Sequence, residues 1–370
     1  MAPPSFQAAE PAGRRKSNLR LPESKQCRFS GSLPAHLRFR AILPAGHIVF
    51  HPCSKEPPMH IVFLDRDTLP ARPLSFNFPH TLHEFPATTP EQTNAHLAGA
   101  QIAITNKVSI RAEHLAANPQ LKLIAVAATG YDHIDLAAAK AAGVTVCNVR
   151  NYSSESVAQH AFMMLLALIR HLPTCMRDIA AGAWQQSPQF VHFNTPMHDL
   201  GGKTLAIFGR GNIGRTLAGY AQAFGMKVIW GEHKHATAVR EGYTPFQVAL
   251  QQADTVSLHC PLNEHTRHMI GAAELRLMKP TAILINTGRG GLADEQAVFD
   301  ALQQGRLGGA GFDVLSQEPP RQGNPLLAPL PNLIVTPHIA WTSQEALLNM
   351  TEILEANITA FAEGRPQNVL

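Results

Sequence analysis

The sequence has no apolar run near the roughly 18 residues that a membrane-spanning helix needs. The longest, Ala161–Ile169, has nine and is flanked by His160 and Arg170. Its five cysteines, Cys27, Cys53, Cys147, Cys175 and Cys260, are scattered and form no C-x-x-C pair. That spacing gives no support to a zinc knuckle or a disulfide framework, and isolated thiols fit a reducing cytosol. His265 and His268 stand three apart but have no acidic or thiol partner at zinc-site spacing, so no metal site is expected. No repeat of 20–50 residues is visible, which argues against a solenoid or propeller. Charge is also sparse: 16% of residues are charged against 45% apolar, the balance of a chain that buries large cores.

The net charge of +4 suggests a polyanion partner until it is located. Residues 1–58 hold nine Lys/Arg and three Asp/Glu, whereas residues 59–370 hold 22 and 24. The basicity is local, and the remaining 312 residues give no reason to expect nucleic acid. The first 58 residues also carry nine prolines and no apolar period, so they read as a disordered or non-native N-terminal extension. Arg-rich, acid-poor composition would suit a targeting peptide, but the prolines spoil an amphipathic helix. Natural translation is expected to start at Met59, directly before the strand-like Ile-Val-Phe-Leu.

From Met59, short apolar runs alternate with helical stretches. Strands are predicted at His60–Leu64, Ile102–Thr105, Leu123–Ala127, Thr204–Phe208, Lys227–Trp230, Thr255–His259, Ala282–Asn286, Ala310–Val314 and Leu333–Thr336. Helices are predicted at Ser156–Arg170, Asp294–Gln304 and Ser343–Glu363; the last places Leu347, Met350, Leu354, Ile358 and Phe361 on one face. This alternation predicts an α/β fold with parallel sheets covered by helices.

The strand at 204–208 runs into Gly209-Arg210-Gly211-Asn212-Ile213-Gly214 and then into a helical pattern. Gly209 suits the sharp turn, Gly211 the approach of a pyrophosphate, and Gly214 close packing of helix on strand. The phosphates would sit at the helix N-terminus, where free N–H groups and the dipole favour anions. Glu232 stands 18 residues after Gly214 at the end of the next strand, where a carboxylate accepts from the adenosine ribose hydroxyls and repels a 2′-phosphate. His233, Lys234 and His235 follow and would attract one. NAD is the expected cofactor, with NADP left open.

Three further strand ends deliver chemistry to the same edge: Asn286-Thr287-Gly288-Arg289, Gly311-Phe312-Asp313 leading to Glu318-Pro319, and Val335-Thr336-Pro337-His338. With Ala128-Thr129-Gly130-Tyr131-Asp132-His133-Ile134-Asp135, Ser156-Val157-Ala158-Gln159 and His259-Cys260-Pro261-Leu262, these ordered motifs resemble the D-isomer-specific 2-hydroxyacid dehydrogenase family over about residues 59–370, in particular its glycerate dehydrogenase (hydroxypyruvate reductase) branch. The resemblance implies two Rossmann-like or flavodoxin-like lobes. An NAD(P)-binding lobe, 153–340, is inserted into a substrate-binding lobe made of 59–152 and 341–370. It also implies a homodimer acting on small 2-keto and 2-hydroxy acids, and the isolated thiols suit a cytoplasmic setting.

By the same resemblance, His338 is the acid/base and Glu318 orients its imidazole and favours its charged form. Arg289 grips the substrate carboxylate with its rigid donor fork. Backbone N–H groups at Thr129 and Gly130 form a second carboxylate clamp. Asp313 holds the nicotinamide carboxamide, Pro261 and Thr287 touch the cofactor, and Asn106 and Trp341 line the substrate pocket. His259 reads as structural, and Tyr131-Asp132-His133 as shaping its loop. D-lactate dehydrogenase of the same family is the rival enzyme reading. A non-enzymatic NAD-sensing corepressor is the rival of another class, and intact Arg289, Glu318 and His338 argue against it.

Overall fold

The computed structural model describes residues 57–193 and 195–370, so the expectations for residues 1–56 lie outside the described residues. Two fully parallel sheets form the frame. The first contains β1 (Met59–Phe63), β2 (His80–Glu84), β3 (Ile102–Thr105), β4 (Leu123–Val126) and β5 (Thr145–Asn148), in the order β2-β1-β3-β4-β5. The second contains β6 (Thr204–Phe208), β7 (Lys227–Trp230), β8 (Thr255–Leu258), β9 (Ile283–Asn286), β10 (Gly309–Phe312) and β11 (Leu333–Val335), in the order β11-β10-β9-β8-β6-β7. Parallel neighbours need crossover connections, and the helices between successive strands supply them. Central strands such as β3, β4, β8 and β9 are buried along their whole length, the pattern of sheets covered on both faces.

Two strands are absent from the sequence reading. β2 is an edge strand, His-Thr-Leu-His-Glu, half exposed and mostly polar, so it presents no apolar run. β5 is only four residues long and ends on the buried Asn148. The predicted helices form as Ser154–Ile169, Glu295–Gln303 and Gln344–Ala362. The first packs its Ala161, Met164, Leu165 and Leu168 into the core of the second sheet. Gln344–Ala362 instead joins the first sheet, burying Leu347, Met350, Leu354 and Ile358 against Ile61, Ile102 and Leu123. The chain end follows it: Leu370 N donates to Val146 O at 2.9 Å. The chain therefore builds the first sheet, leaves to build the second, and returns. Among the described residues no helix is long and apolar enough to cross a membrane.

In each sheet the order reverses around the first strand, β1 or β6. Such a switch point opens a crevice beyond the carboxyl ends of the strands, the usual ligand position in open α/β sheets.

Candidate active site

At the switch point of the second sheet, β6 ends on Gly209, whose φ of +114° is open to glycine. A Cβ there would lie 2.5 Å from the carbonyl carbon and oxygen of His259 beyond β8, so the two strand ends meet closely. Gly211 caps the helix Asn212–Ala223, and a Cβ on it would meet nothing within 4 Å. At Gly214 a Cβ would lie 2.2 Å from Gly209 O, which keeps the helix pressed on the turn. Arg210, Asn212 and Ile213 complete the loop around an exposed helix N-terminus. A cavity of about 660 Å³ runs from Gly209–Gly211 past Glu232–Thr237 to Arg240 and Tyr243, with His259, Cys260 and Pro261 on its other wall. Two buried polar atoms at neighbouring strand ends, Thr287 Oγ1 and His259 Nδ1, have no hydrogen-bond partner among the described residues. Burial holds the His259 imidazole down at about 4, so it is neutral at working pH. Open glycine backbone, a bare helix N-terminus and, on the cavity wall, the orphaned imidazole of His259 fit a dinucleotide.

The adenosine end differs from the sequence expectation. Glu232 is 2% exposed and does not hold its carboxylate out for ribose hydroxyls. It accepts from His233 N at 2.8 Å, from Arg240 N at 3.0 Å, from Arg240 Nε at 2.9 Å and from Arg240 Nη2 at 2.6 Å. Those bonds, the Arg240 guanidinium first, hold its carboxyl down to about 2. The pairing spans eight residues of irregular chain, which strand-end spacing does not reveal.

The reacting groups stand at the ends of β9, β10 and β11. His338 Nδ1 lies 2.6 Å from Glu318 Oε2. Burial pushes Glu318 up, but the His338 bond, its charge and the Leu315 N–H outweigh that, so its carboxyl sits below the usual range. His338 has φ +56°, a left-handed backbone that a non-glycine residue holds only when its surroundings enforce it. Asp313 enforces it. Its carbonyl accepts from His338 N at 2.8 Å, and its carboxylate accepts from Ile339 N at 3.0 Å, Ala340 N at 2.9 Å and Thr336 Oγ1 at 2.5 Å. With its side chain 1% exposed and both oxygens bonded to this segment, Asp313 anchors the histidine turn. Behind it, His160 Nε2 reaches Thr336 Oγ1 at 2.9 Å, a contribution from the helix Ser154–Ile169 that the sequence does not announce.

Arg289 follows β9 and lies against the loop after β4. A Cβ on Gly130 would sit 1.8 Å from Arg289 Nη2, so only glycine leaves room for the guanidinium. Asp132 Oδ1 is 3.7 Å from Arg289 Nε, and Arg289 Nη1 donates to Gly288 O at 2.8 Å. Thr129 is fixed through its Oγ1, which donates to Val149 O at 2.8 Å, and through its carbonyl, which accepts from Asn148. Among the described residues the backbone N–H groups of Thr129 and Gly130 have no acceptor. Burial of His133 lowers its imidazole to about 4, consistent with a loop-shaping residue rather than an acid/base.

Asn106 is a correction. It is 2% exposed, its backbone N–H binds Asp65 Oδ1 at 2.9 Å, and its Nδ2 binds Thr68 Oγ1 at 3.1 Å. It faces its own lobe rather than the crevice, because the buried Asp65 carboxylate grips the N–H groups of residues 106, 107 and 108. The next residue, Lys107, lies within charge range of Arg289, Glu318 and Asp132. Crowding by protein lowers its pKa, Arg289 lowers it further, and Glu318 and Asp132 oppose. Its side chain has no hydrogen-bond or ion-pair partner among the described residues. Trp341 is half-buried beside the histidine turn, its Nε1 donating to His338 O at 2.9 Å and its ring edge-on to Tyr152.

Comparison with known proteins places this arrangement. Residues 162–340 match the family described as D-isomer specific 2-hydroxyacid dehydrogenase, NAD binding domain. The chain is 48% identical over 312 residues to a glycerate dehydrogenase of Methylorubrum extorquens, covering 84% of this chain and 98% of that protein. It is 40% identical over 276 residues to a glyoxylate reductase of Thermococcus litoralis, covering 72% of this chain and 81% of that protein. Among solved structures, the D-lactate dehydrogenase of Aquifex aeolicus, complexed with NAD and lactic acid, matches with a TM-score of 0.69 at 29% identity, covering 82% of this chain and 96% of that one.

Proposed function

The chain belongs to the D-isomer-specific 2-hydroxyacid dehydrogenase family, and from that premise we propose that it interconverts hydroxypyruvate and D-glycerate, and reduces glyoxylate. Family membership makes it an NAD(P)-dependent oxidoreductase acting on small 2-hydroxy and 2-keto acids. The observation that carries the reading is the 2.6 Å His338–Glu318 pair at the strand edge that also carries Arg289.

In this reading the nicotinamide, when bound, exchanges a hydride with substrate C2. Arg289 and the N–H groups of Thr129 and Gly130 hold the substrate carboxylate. His338 has Nδ1 committed to Glu318, which leaves Nε2 to give a proton to the carbonyl oxygen in reduction and to take it back in oxidation. Asp313 keeps that ring in position from below. Lys107, whose charge lies near Arg289, suits a polar substituent on C3. That favours hydroxypyruvate over pyruvate, whose C3 is a methyl group. A panel of hydroxypyruvate, glyoxylate, pyruvate and 2-oxoglutarate should give the highest kcat/KM with hydroxypyruvate; a preference for pyruvate would favour the D-lactate dehydrogenase reading. No turnover of any of the four acids would revive the NAD-sensor reading.

We assign residues 59–152 with 341–370 to substrate binding and 153–340 to the nucleotide; separate cores on the two sheets support that division. A cytoplasmic setting is supported by the unpaired Cys147, Cys175 and Cys260. A homodimer is supported by the apolar arm after the helix Leu172–Ala180. Phe190 and Phe193 are 88% and 87% exposed there, beside exposed Met176, Ile179 and Trp184. A contiguous apolar patch of this kind marks an interaction surface. Light scattering should give about twice the chain mass of 40.2 kDa. The double substitution Phe190→Asp, Phe193→Asp should reduce it to one chain. A wild-type monomer would refute the dimer.

A further inference from the structure

We propose that the crevice is built for a dinucleotide bearing a 2′-phosphate on its adenosine ribose, so that NADPH is preferred over NADH, with Arg240 and Arg210 as the phosphate grip. The inference rests on the dinucleotide reading of the cavity and adds its specificity.

The carboxylate expected to discriminate against that phosphate is already used. An ionised carboxyl group offers about four lone-pair positions. Those of Glu232 are occupied by two backbone N–H groups and by Nε and Nη2 of Arg240. No acceptor is left for two ribose hydroxyls, and the charge that would repel a phosphate is matched by the guanidinium against it.

The cations around it are less committed. Arg240 uses Nε and Nη2 on Glu232 but has no acceptor on Nη1, and its side chain is half exposed at the cavity wall. Arg210 makes no hydrogen bond or ion pair through its side chain among the described residues. Instead it lies over aromatic rings, its Cζ 5.1 Å from the Trp230 ring centre and 5.7 Å from that of Tyr243. Arg240 Cζ lies 3.9 Å from the same Tyr243 ring. Two guanidinium groups thus gather around one tyrosine at the adenosine end. Contact with a ring face uses none of a guanidinium's N–H donors, which can still bind phosphate oxygens in pairs. Lys234 is occupied by Glu274 at 2.9 Å, whereas His233 and His235 are exposed on the same cavity wall as Arg210 and Arg240. Glu232 becomes a positioning residue that fixes Arg240.

Calorimetry on the full chain separates this from turnover, using 2′,5′-ADP against 5′-ADP and NADPH against NADH. The expected result is tighter binding of 2′,5′-ADP and of NADPH. Arg240→Ala should then lower the ratio of the two ADP affinities by about ten-fold or more, the worth of a charge-assisted hydrogen bond. Arg210→Ala should lower it in the same direction, which guards against a fold defect peculiar to one variant. NADH bound more tightly than NADPH, or a ratio unchanged in both variants, overturns the proposal while leaving the dinucleotide reading standing. Binding of neither dinucleotide overturns both.

Discussion

Replacing His338 with alanine should lower kcat for keto-acid reduction by about 10²–10⁴-fold, the usual worth of a positioned acid/base, while leaving dinucleotide affinity nearly unchanged. The split follows from where the residue sits. Its ring is tied to Glu318, and its backbone to Asp313, beyond the end of β11 rather than at the glycine loop. Steady-state rates beside a fluorescence titration of the reduced cofactor check it; an equal loss of cofactor binding would contradict the assignment. A gentler variant reads the same pair through pH. Burial raises the Glu318 pKa, but its bond to His338 wins and holds the carboxyl below the ordinary range. It therefore stays ionised wherever the enzyme is expected to work. Glu318→Gln removes a negative charge that favours the protonated imidazole. Reduction needs that proton, so the limb of kcat/KM for the keto acid should move to lower pH. A limb that stays in place would mean that Glu318 only fills space.

Much of this was legible because the chemistry sits at strand ends. The glycine loop, Arg289, Glu318 and His338 each follow a strand closely enough to be read from the apolar run before it. The edge strand β2 was illegible because His80–Glu84 has neither an apolar run nor clean alternation. Site residues were missed where a side chain's direction depends on a distant partner. Asn106 and Lys107 are neighbours in sequence, and only the Asp65 carboxylate, 41 residues earlier, turns the first inward and leaves the second facing Arg289. Glu232 was found at the right spacing, but its capture by Arg240 depends on the fold of the intervening loop. Asp313 was also found, but three strand-end residues had to be assembled before its anchoring role could be seen.

Arg289→Lys should raise KM for the keto acid by about 10–100-fold, since hydrogen bonds to a charged group are worth roughly 1.5–3 kcal/mol and a point charge cannot replace two parallel donors. Part of the loss should appear in kcat if, as proposed, the same guanidinium also polarises the carbonyl. The clearance at Gly130 provides a second route to the same site without altering any charge. A methyl group there would lie 1.8 Å from Arg289 Nη2, so Gly130→Ala must push the guanidinium off its position. Gly130 is not among the glycines with positive φ, so alanine suits its backbone and the fold should survive. The two variants should therefore agree in direction. Both should raise KM for the keto acid, and both should leave dinucleotide affinity intact, because neither residue touches the glycine loop. If Gly130→Ala kept wild-type KM while Arg289→Lys lost it, the guanidinium would act from some other position than the one against Thr129 and Gly130. If Arg289→Lys itself left both constants unchanged, the carboxylate would be held elsewhere, and Lys107 would be the next cation to remove.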